Sequence, residues 1–407
     1  MTKRQTNLLG LALGAALGGT LSMPVLAAEA PGVGDDTIRI AVEDVLAGPY
    51  AQYGVPSLHG VMYVFDKVNA AGGVHGRKLE VVPVDGGCAP KDTVGAATRL
   101  ASEGEVLAVL GLTCSSGAVA VKDSVAPTTA IPFISFSSGG WTSNAAELGG
   151  VKPNFFFVAS SVHTQGGALV NFVMNELKPE RVAFIGQTDI YGKEGLQGVE
   201  AVLKEYGKEL VATETMEARS TDASAQVLKL KQAEPDVVIA FLYQIPAQML
   251  LRQANDLGLK AAIVTSASVT DSAIYESLPP AALADYYGST LGTDVLEGAR
   301  MAGTVAALEA AYPDVTFNPL VASGIGGAEA LVAALEAVGP EVTAEALVAE
   351  LDKLTGFETS ALAYPLSFTP EDHMAGEGVQ IYRVEDGVMT STMEGYWPGN
   401  EKAAAPR

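Results

Sequence analysis

Histidine and cysteine are nearly missing from this chain: four histidines and two cysteines stand among 407 residues. No Cys/His spacing or paired-acid pattern of a metal site occurs, so neither a metal nor a cofactor is expected. A catalytic thiolate would need a base close in space, and only His59, His75, His163 and His373 could serve. Positive charge is short as well. With 25 basic against 47 acidic residues the net charge is −22, which argues against a nucleic-acid partner, because that requires basic patches. Past the N-terminal leader, no segment reads as long and apolar enough to cross a bilayer, which takes roughly 20 apolar residues.

The leader itself is informative. Lys3 and Arg4 precede an apolar run from Leu8 to Ala16, and small residues follow at Val25-Leu-Ala-Ala28. This is the layout of a secretory signal peptide over residues 1–28, cleaved near Ala27 or Ala28. Gly18, Gly19, Thr20, Ser22 and Pro24 interrupt it as a membrane anchor. No cysteine stands at the cleavage point to carry a lipid, so the expectation is a soluble exported protein. In an oxidising compartment the pair Cys88 and Cys114 reads as a disulfide. The mature chain of about 380 residues exceeds one ordinary core and suggests two domains.

Apolar β-branched runs alternate with helical patterns throughout. Strands are expected at Ile38 to Val42, Leu79 to Val84, Val106 to Leu110, Ile131 to Ser135 and Phe155 to Val158. A second set falls at Arg181 to Ile185, Leu210 to Thr215, Asp236 to Leu242 and Ala261 to Thr265, then at Ala363 to Phe368 and Val379 to Val384. Helices fill the intervals; in the first, Leu58, Val61, Phe65 and Val68 recur at three- and four-residue spacing before Gly72-Gly73 stops it. Later helices are expected near Glu297 to Ala311, Ala328 to Val338 and Thr343 to Leu354. The pattern implies an α/β protein that writes one parallel-sheet layout twice, with ligands at the carboxyl ends of the strands. The polar tail reads as flexible.

Two enzyme-like motifs fail on detail. Gly186 to Lys193 lies between a strand and a helix like a phosphate-binding loop, but five residues separate its glycines and Glu194 replaces the required Ser or Thr. Cys114-Ser-Ser-Gly117 lacks the Gly-x-Ser-x-Gly elbow of a serine hydrolase. No catalytic residue is assigned. Ser115, Ser116, Ser137 and Ser138 instead stand at strand-to-helix turns, where N–H groups and hydroxyls can hold a carboxylate. The same serines could equally serve as helix caps.

The segments Gly48-Pro-Tyr-Ala-Gln-Tyr-Gly54, Val68-Asn-Ala-Ala-Gly-Gly-Val-His-Gly-Arg-Lys-Leu79, Cys88-Ala-Pro-Lys91, Cys114-Ser-Ser116, Tyr191-Gly-Lys-Glu-Gly195 and Leu251-Arg-Gln-Ala254 resemble, in this order and spacing, type I periplasmic solute-binding proteins of ABC importers, in the branched-chain amino acid (Leu/Ile/Val) group. The resemblance covers essentially the whole mature chain. It implies two Rossmann-like lobes joined by a three-segment hinge, residues 36–157 plus 290–364 and 158–289 plus 365–397, with 398–407 as a tail. It also implies a disulfide near the ligand, a carboxylate held by Ser115 and by Ser137, Ser138 and Gly139, and aromatic contacts from Tyr191 and from Tyr243 or Gln244. Tyr50, Tyr53 and Trp141 are further aromatics expected nearby. The partners implied are a small carboxylate solute and the membrane permease subunits of an ABC transporter, served by a periplasmic monomer.

This chain departs from the resemblance where the ammonium group of an amino acid would be held. The threonine and glutamate of Leu/Ile/Val-binding relatives fall here on Gly139 and on Ala267 or Ser268. Without that carboxylate an ammonium lacks a counter-charge, unless Asp271 or Asp189 supplies one. The expectation is an amine-free or aromatic carboxylate, with a branched-chain amino acid as the alternative. A ligand-sensing receptor subunit would use the same cleft, and Ser323 and Gly324 are expected to widen the pocket.

Overall fold

Short buried strands followed by amphipathic helices have one stable arrangement, a sheet covered on both faces, and this chain makes it twice. A computed structural model describes residue 2 and residues 30–137, 139, 152–269, 275, 277–291, 299–385, 388–392 and 395–406. The expected leader, Ser138, Trp141 and Asp271 lie outside the described residues, Thr2 excepted.

The first sheet is wholly parallel, in the order β11-β5-β4-β3-β1-β2. Its strands are β1 (Thr37–Asp44), β2 (Lys78–Asp85), β3 (Ala108–Gly111), β4 (Phe133–Ser135), β5 (Phe155–Ser160) and β11 (Met374–Gly376). All six residues of β5 are buried, as in a strand covered on both faces. Helices α1 (Ala51–Ala70), α2 (Pro90–Glu103) and α3 (Ser115–Ser124) connect the early strands.

The second sheet runs β13-β12-β10-β9-β8-β6-β7. Its parallel part comprises β6 (Val182–Gln187), β7 (Leu210–Met216), β8 (Val237–Phe241), β9 (Ala262–Thr265) and β10 (Tyr286–Thr290). The strands β12 (Gly378–Glu385) and β13 (Val388–Ser391) join it antiparallel, and β14 (Trp397–Pro398) pairs with β12. Helix α4 (Val162–Phe172) continues through a π turn to Leu177, and α5 (Ile190–Glu205), α6 (Ser224–Gln232) and α7 (Gln244–Leu257) follow.

Three more helices, α8 (Ala299–Ala311), α9 (Pro319–Val338) and α10 (Ala344–Leu351), precede the return to β11. Helix α9 crosses α1 at a distance only glycine permits: a Cβ on Gly60 would overlap Val321 O, and one on Gly324 would overlap Ser57 O. Gly324 therefore serves helix packing and does not widen the pocket. By length and composition α9 could also span a bilayer, contrary to the reading of the sequence, but most of its residues are buried inside the protein.

Three further expectations are corrected. Residues 363–368 form no strand; Leu366 makes only an isolated bridge to Phe357. Their alternating burial has another cause: Leu362, Tyr364, Leu366 and Phe368 fill the core, and the Tyr364 hydroxyl accepts from Ser160 N at 3.0 Å. The chain consequently passes between the sheets after β5, after β10, and between β11 and β12 rather than near 365. The tail is also not frayed up to Ala403. Asn171 Nδ2 donates to Pro398 O at 2.7 Å and Glu401 O at 2.8 Å, while its Oδ1 accepts from Ala403 N at 2.9 Å.

Glu43, on β1, is fully buried, and neither carboxylate oxygen has a hydrogen-bond partner. Desolvation, reinforced by Asp44 and opposed by Arg99, pushes its pKa from an ordinary 4.5 up to about 8. A folded-state pKa above the unfolded one contributes stability that is complete below 4.5 and lost as pH rises to about 8. Glu43→Gln should remove that loss, which is on the order of a few kcal/mol. Urea unfolding at pH 5 and at pH 8.5 checks this, the wild type weakening with pH far more than the variant.

Candidate functional site

The carboxyl end of β3 turns into α3 through Leu112, Thr113 and Cys114, with Leu112 in the left-handed region at φ 54°. One buried carboxylate holds this turn. Asp44 Oδ2 accepts from Thr113 Oγ1 at 2.6 Å and Ser57 Oγ at 2.8 Å, and its Oδ1 from Val45 N at 2.9 Å and Thr113 N at 3.3 Å. Burial raises the Asp44 pKa, and the bonds from Thr113, Ser57 and Val45 work against that rise. The Cys88–Cys114 disulfide ties the same turn to the start of α2. Closing such a loop stabilises by about 3 kcal/mol on the chain-entropy estimate.

Cys114 is the N-cap residue of α3, and no side chain there caps the helix. The positive end of the helix dipole therefore faces outward beside Ser115. Ser137 Oγ lies 3.2 Å from Ser115 Oγ and accepts from Gly139 N at 3.1 Å. A Cβ at position 139 would overlap Ser115 Cβ and Oγ. A threonine at this position would have no room in this arrangement.

From the other side come the ends of β6, β8 and β9. The Tyr191 hydroxyl lies 2.7 Å from Ser266 Oγ and 3.0 Å from Ser268 Oγ, and burial pushes its pKa up to about 12. Burial likewise raises the pKa of Tyr53 and of Tyr243, so all three phenols are neutral at ordinary pH. The Tyr53 and Tyr243 rings meet across the two units with centroids 5.3 Å apart, and within the second unit Tyr191 and Tyr243 stand 5.1 Å apart. Gln244 N donates to the Tyr53 hydroxyl at 3.2 Å, Gln52 Nε2 to Gln244 Oε1 at 3.2 Å, and Arg219 Nε to the Tyr50 hydroxyl at 3.0 Å.

Between these faces lies a cavity of about 60 Å³. Tyr53, Thr113, Cys114, Ser115, Phe136, Pro319, Leu320 and Ser323 line it from the first unit. Gln165, Tyr191, Tyr243, Ala267, Ser268 and Leu291 complete it. None of these described lining residues is Asp, Glu, Lys, Arg or His. Larger cavities of about 760 and 370 Å³ flank it.

Of the residues singled out in the sequence, Tyr53, Cys114, Ser115, Tyr191, Tyr243, Ala267, Ser268 and Ser323 meet in this wall. Ser116 lines the 370 Å³ cavity beside Tyr50, Asp189 and Arg219. Ser137 is buried behind Ser115 and does not line the cavity. Asp189 caps α5 by accepting from Gly192 N, and its carboxylate faces the flanking cavity. Thr113, Phe136, Gln165, Leu291 and Pro319 were missed. Thr113 was readable as the neighbour of Cys114 and Phe136 as that of Ser137; the other three arrive through long-range packing that leaves no local mark. Among the described residues no group of acids, histidines and cysteines could hold a metal ion.

Two α/β units with strand ends facing one cavity, whose described lining residues carry no charge, define a solute-binding protein of the two-sheet kind. The chain belongs to the periplasmic binding protein family, whose model matches residues 37–388. It is 29% identical over 247 residues to the leucine-, isoleucine-, valine-, threonine- and alanine-binding protein of Pseudomonas aeruginosa, covering 59% of this chain and 62% of that relative. The matched stretch thus spans about three fifths of that relative's length. The fold is that of a branched-chain amino acid transporter substrate-binding protein from Streptococcus pneumoniae in complex with isoleucine, with a TM-score of 0.76 at 22% identity, covering 88% of this chain and 99% of that one. It is also that of an ABC transporter solute-binding protein from Rhodopseudomonas palustris in complex with 3,4-dihydroxybenzoic acid, with a TM-score of 0.75 at 20% identity, covering 90% and 99%.

Asp44→Asn keeps one acceptor oxygen and loses the other. It should destabilise the protein by about 1 to 3 kcal/mol through donors left unpaired, with Thr113→Val costing less because one bond is lost. Urea denaturation of both variants at pH 7 checks the order.

Proposed function

We propose that this protein is the exported solute-capturing component of an ABC-type importer, closing its two units on a small amine-free or aromatic carboxylate and delivering it to a membrane permease. The observation that carries the reading is the absence of any charged side chain from the described cavity wall. An α-amino acid would bring an ammonium group against a described wall that no carboxylate lines, the buried Glu194 standing beside position 139 and outside that lining, at a cost in lost pairing. A lone carboxylate is better served, by the uncapped start of α3 and the hydroxyl of Ser115. The tyrosine rings and Phe136 suit an apolar or flat body. That this fold can hold such an acid is supported by the relative complexed with 3,4-dihydroxybenzoic acid.

In this reading residues 36–157 and 290–376 form one lobe and 158–289 with 377–397 the other, the last boundary moved to follow β11. Contacts from Tyr50, Gln52 and Tyr53 to Arg219 and Gln244 exist only when the lobes are together, so they favour the closed form. Residues 1–28 direct export to the periplasm, where the protein works as a monomer. Branched-chain amino acids remain the second reading, favoured by the Pseudomonas aeruginosa relative and by Asp271 as an ammonium partner.

Melting temperature against a panel pairing leucine, isoleucine, valine and phenylalanine with their des-amino acids and with hydroxybenzoates separates the two. A ligand at about a hundred times Kd stabilises by about 2.7 kcal/mol. The expected result is a shift from amine-free acids, with affinity reduced about tenfold by Ser115→Ala. A larger shift from leucine, isoleucine or valine would overturn the reading.

A further inference from the structure

The central cavity and its neighbour of about 760 Å³ are separated by a wall of side chains drawn from both units. Consecutive residues face opposite sides of it: Tyr53 and Tyr243 line the central cavity, whereas Gln52 and Gln244 line the larger one. Leu320 alone among the described residues lines both. The wall is closed across the two units by the Gln52–Gln244 bond at 3.2 Å and by Gln244 N on the Tyr53 hydroxyl at 3.2 Å. Leu320 packs on the small cluster of Val45, Tyr53 and Cys114. Its position is set at the first turn of α9, where Asn318 Oδ1 accepts from Leu320 N, and by the glycine-tight crossing of α9 on α1.

We propose that Leu320, with the Gln52–Gln244 pair, determines specificity by setting the length of solute chain that the central cavity accepts. The proposal rests on the reading that this cavity holds the solute, but not on which head group the solute carries. The far side of the wall is already roomy and partly apolar, with Val305, Val315 and Phe317 beside His59 and Tyr312. A chain that passed the wall would therefore gain contacts rather than meet packed protein. Removing Leu320 side-chain volume should turn two compartments into one, and enlarging it should shorten the first.

The test is calorimetric titration with two unbranched series of about four to about ten carbons, fatty acids and their α-amino counterparts. Each buried methylene is worth about 0.8 kcal/mol, or roughly fourfold in affinity. In the wild type affinity should climb and then break at the length that fills the cavity. Leu320→Ala should move the break outward by about two methylenes, raising affinity for the longer acids at least tenfold. Leu320→Phe should move it inward, and Gln52→Ala with Gln244→Ala should blunt it. A wild type with no break, an unmoved break in folded Leu320→Ala and Leu320→Phe, or no binding in either series would each overturn the proposal. A break seen only with the amino acids would sustain this inference while defeating the amine-free reading of the site.

Discussion

The site is organised around the carboxylate of Asp44. It stands where β1 ends, and its oxygens are shared by the turn that carries Thr113, by Ser57 of α1 and by the backbone of Val45. Those partners bring with them Cys114, Ser115 and, on α1, Tyr53. A buried charge is costly unless fully hydrogen-bonded, and here bonds from two elements and its own strand end meet that cost. The next residue back shows the contrast. Glu43 has no such partners, and burial drives it toward its neutral form. Two adjacent acids thus take opposite roles because alternate residues of a strand face opposite sides of the sheet.

Charge placed behind the cavity leaves its described wall free of it. What lines the described cavity is hydroxyls, an amide, aromatic rings and aliphatic groups. On the proposed reading, such a wall selects by shape and by orientation of weak donors, and it disfavours a ligand that brings an unpaired charge. The aromatic rings do double duty, since Tyr53 and Tyr243 are both cavity wall and contact between the units. On the proposed reading, a solute pressed against either ring acts on the same surface that holds the two sides together.

The strands with continuous apolar runs were legible because burial on both faces leaves a local signature, as in β1, β5 and β8. Helix α9 was read as beginning at Ala328, nine residues late, because Gly324, Gly326 and Gly327 lower helix propensity. Tertiary packing overrides that, since only glycine lets α9 approach α1 so closely. Strand β10, Tyr-Tyr-Gly-Ser-Thr, was missed because it is short and contains a glycine. Residues 363–368 alternate like a strand but are buried by Tyr364 and its neighbours without pairing. At the site, Ser115 and Tyr191 were found through motif and resemblance, whereas Gln165, Leu291 and Pro319 come from distant segments.

The sequence by itself determined the apolar run near its start, the two-sheet α/β class and the one cysteine pair. Each of these is written in neighbouring residues or in their periodicity. Only the tertiary structure decided that position 139 has no room for a side chain, that Ser116 and Ser137 stand off the cavity while Ser115 lines it, and that Leu320 divides two compartments. These depend on which atoms from segments far apart in the chain come within van der Waals distance. That distance is set by packing of whole helices and sheets and has no counterpart in local sequence.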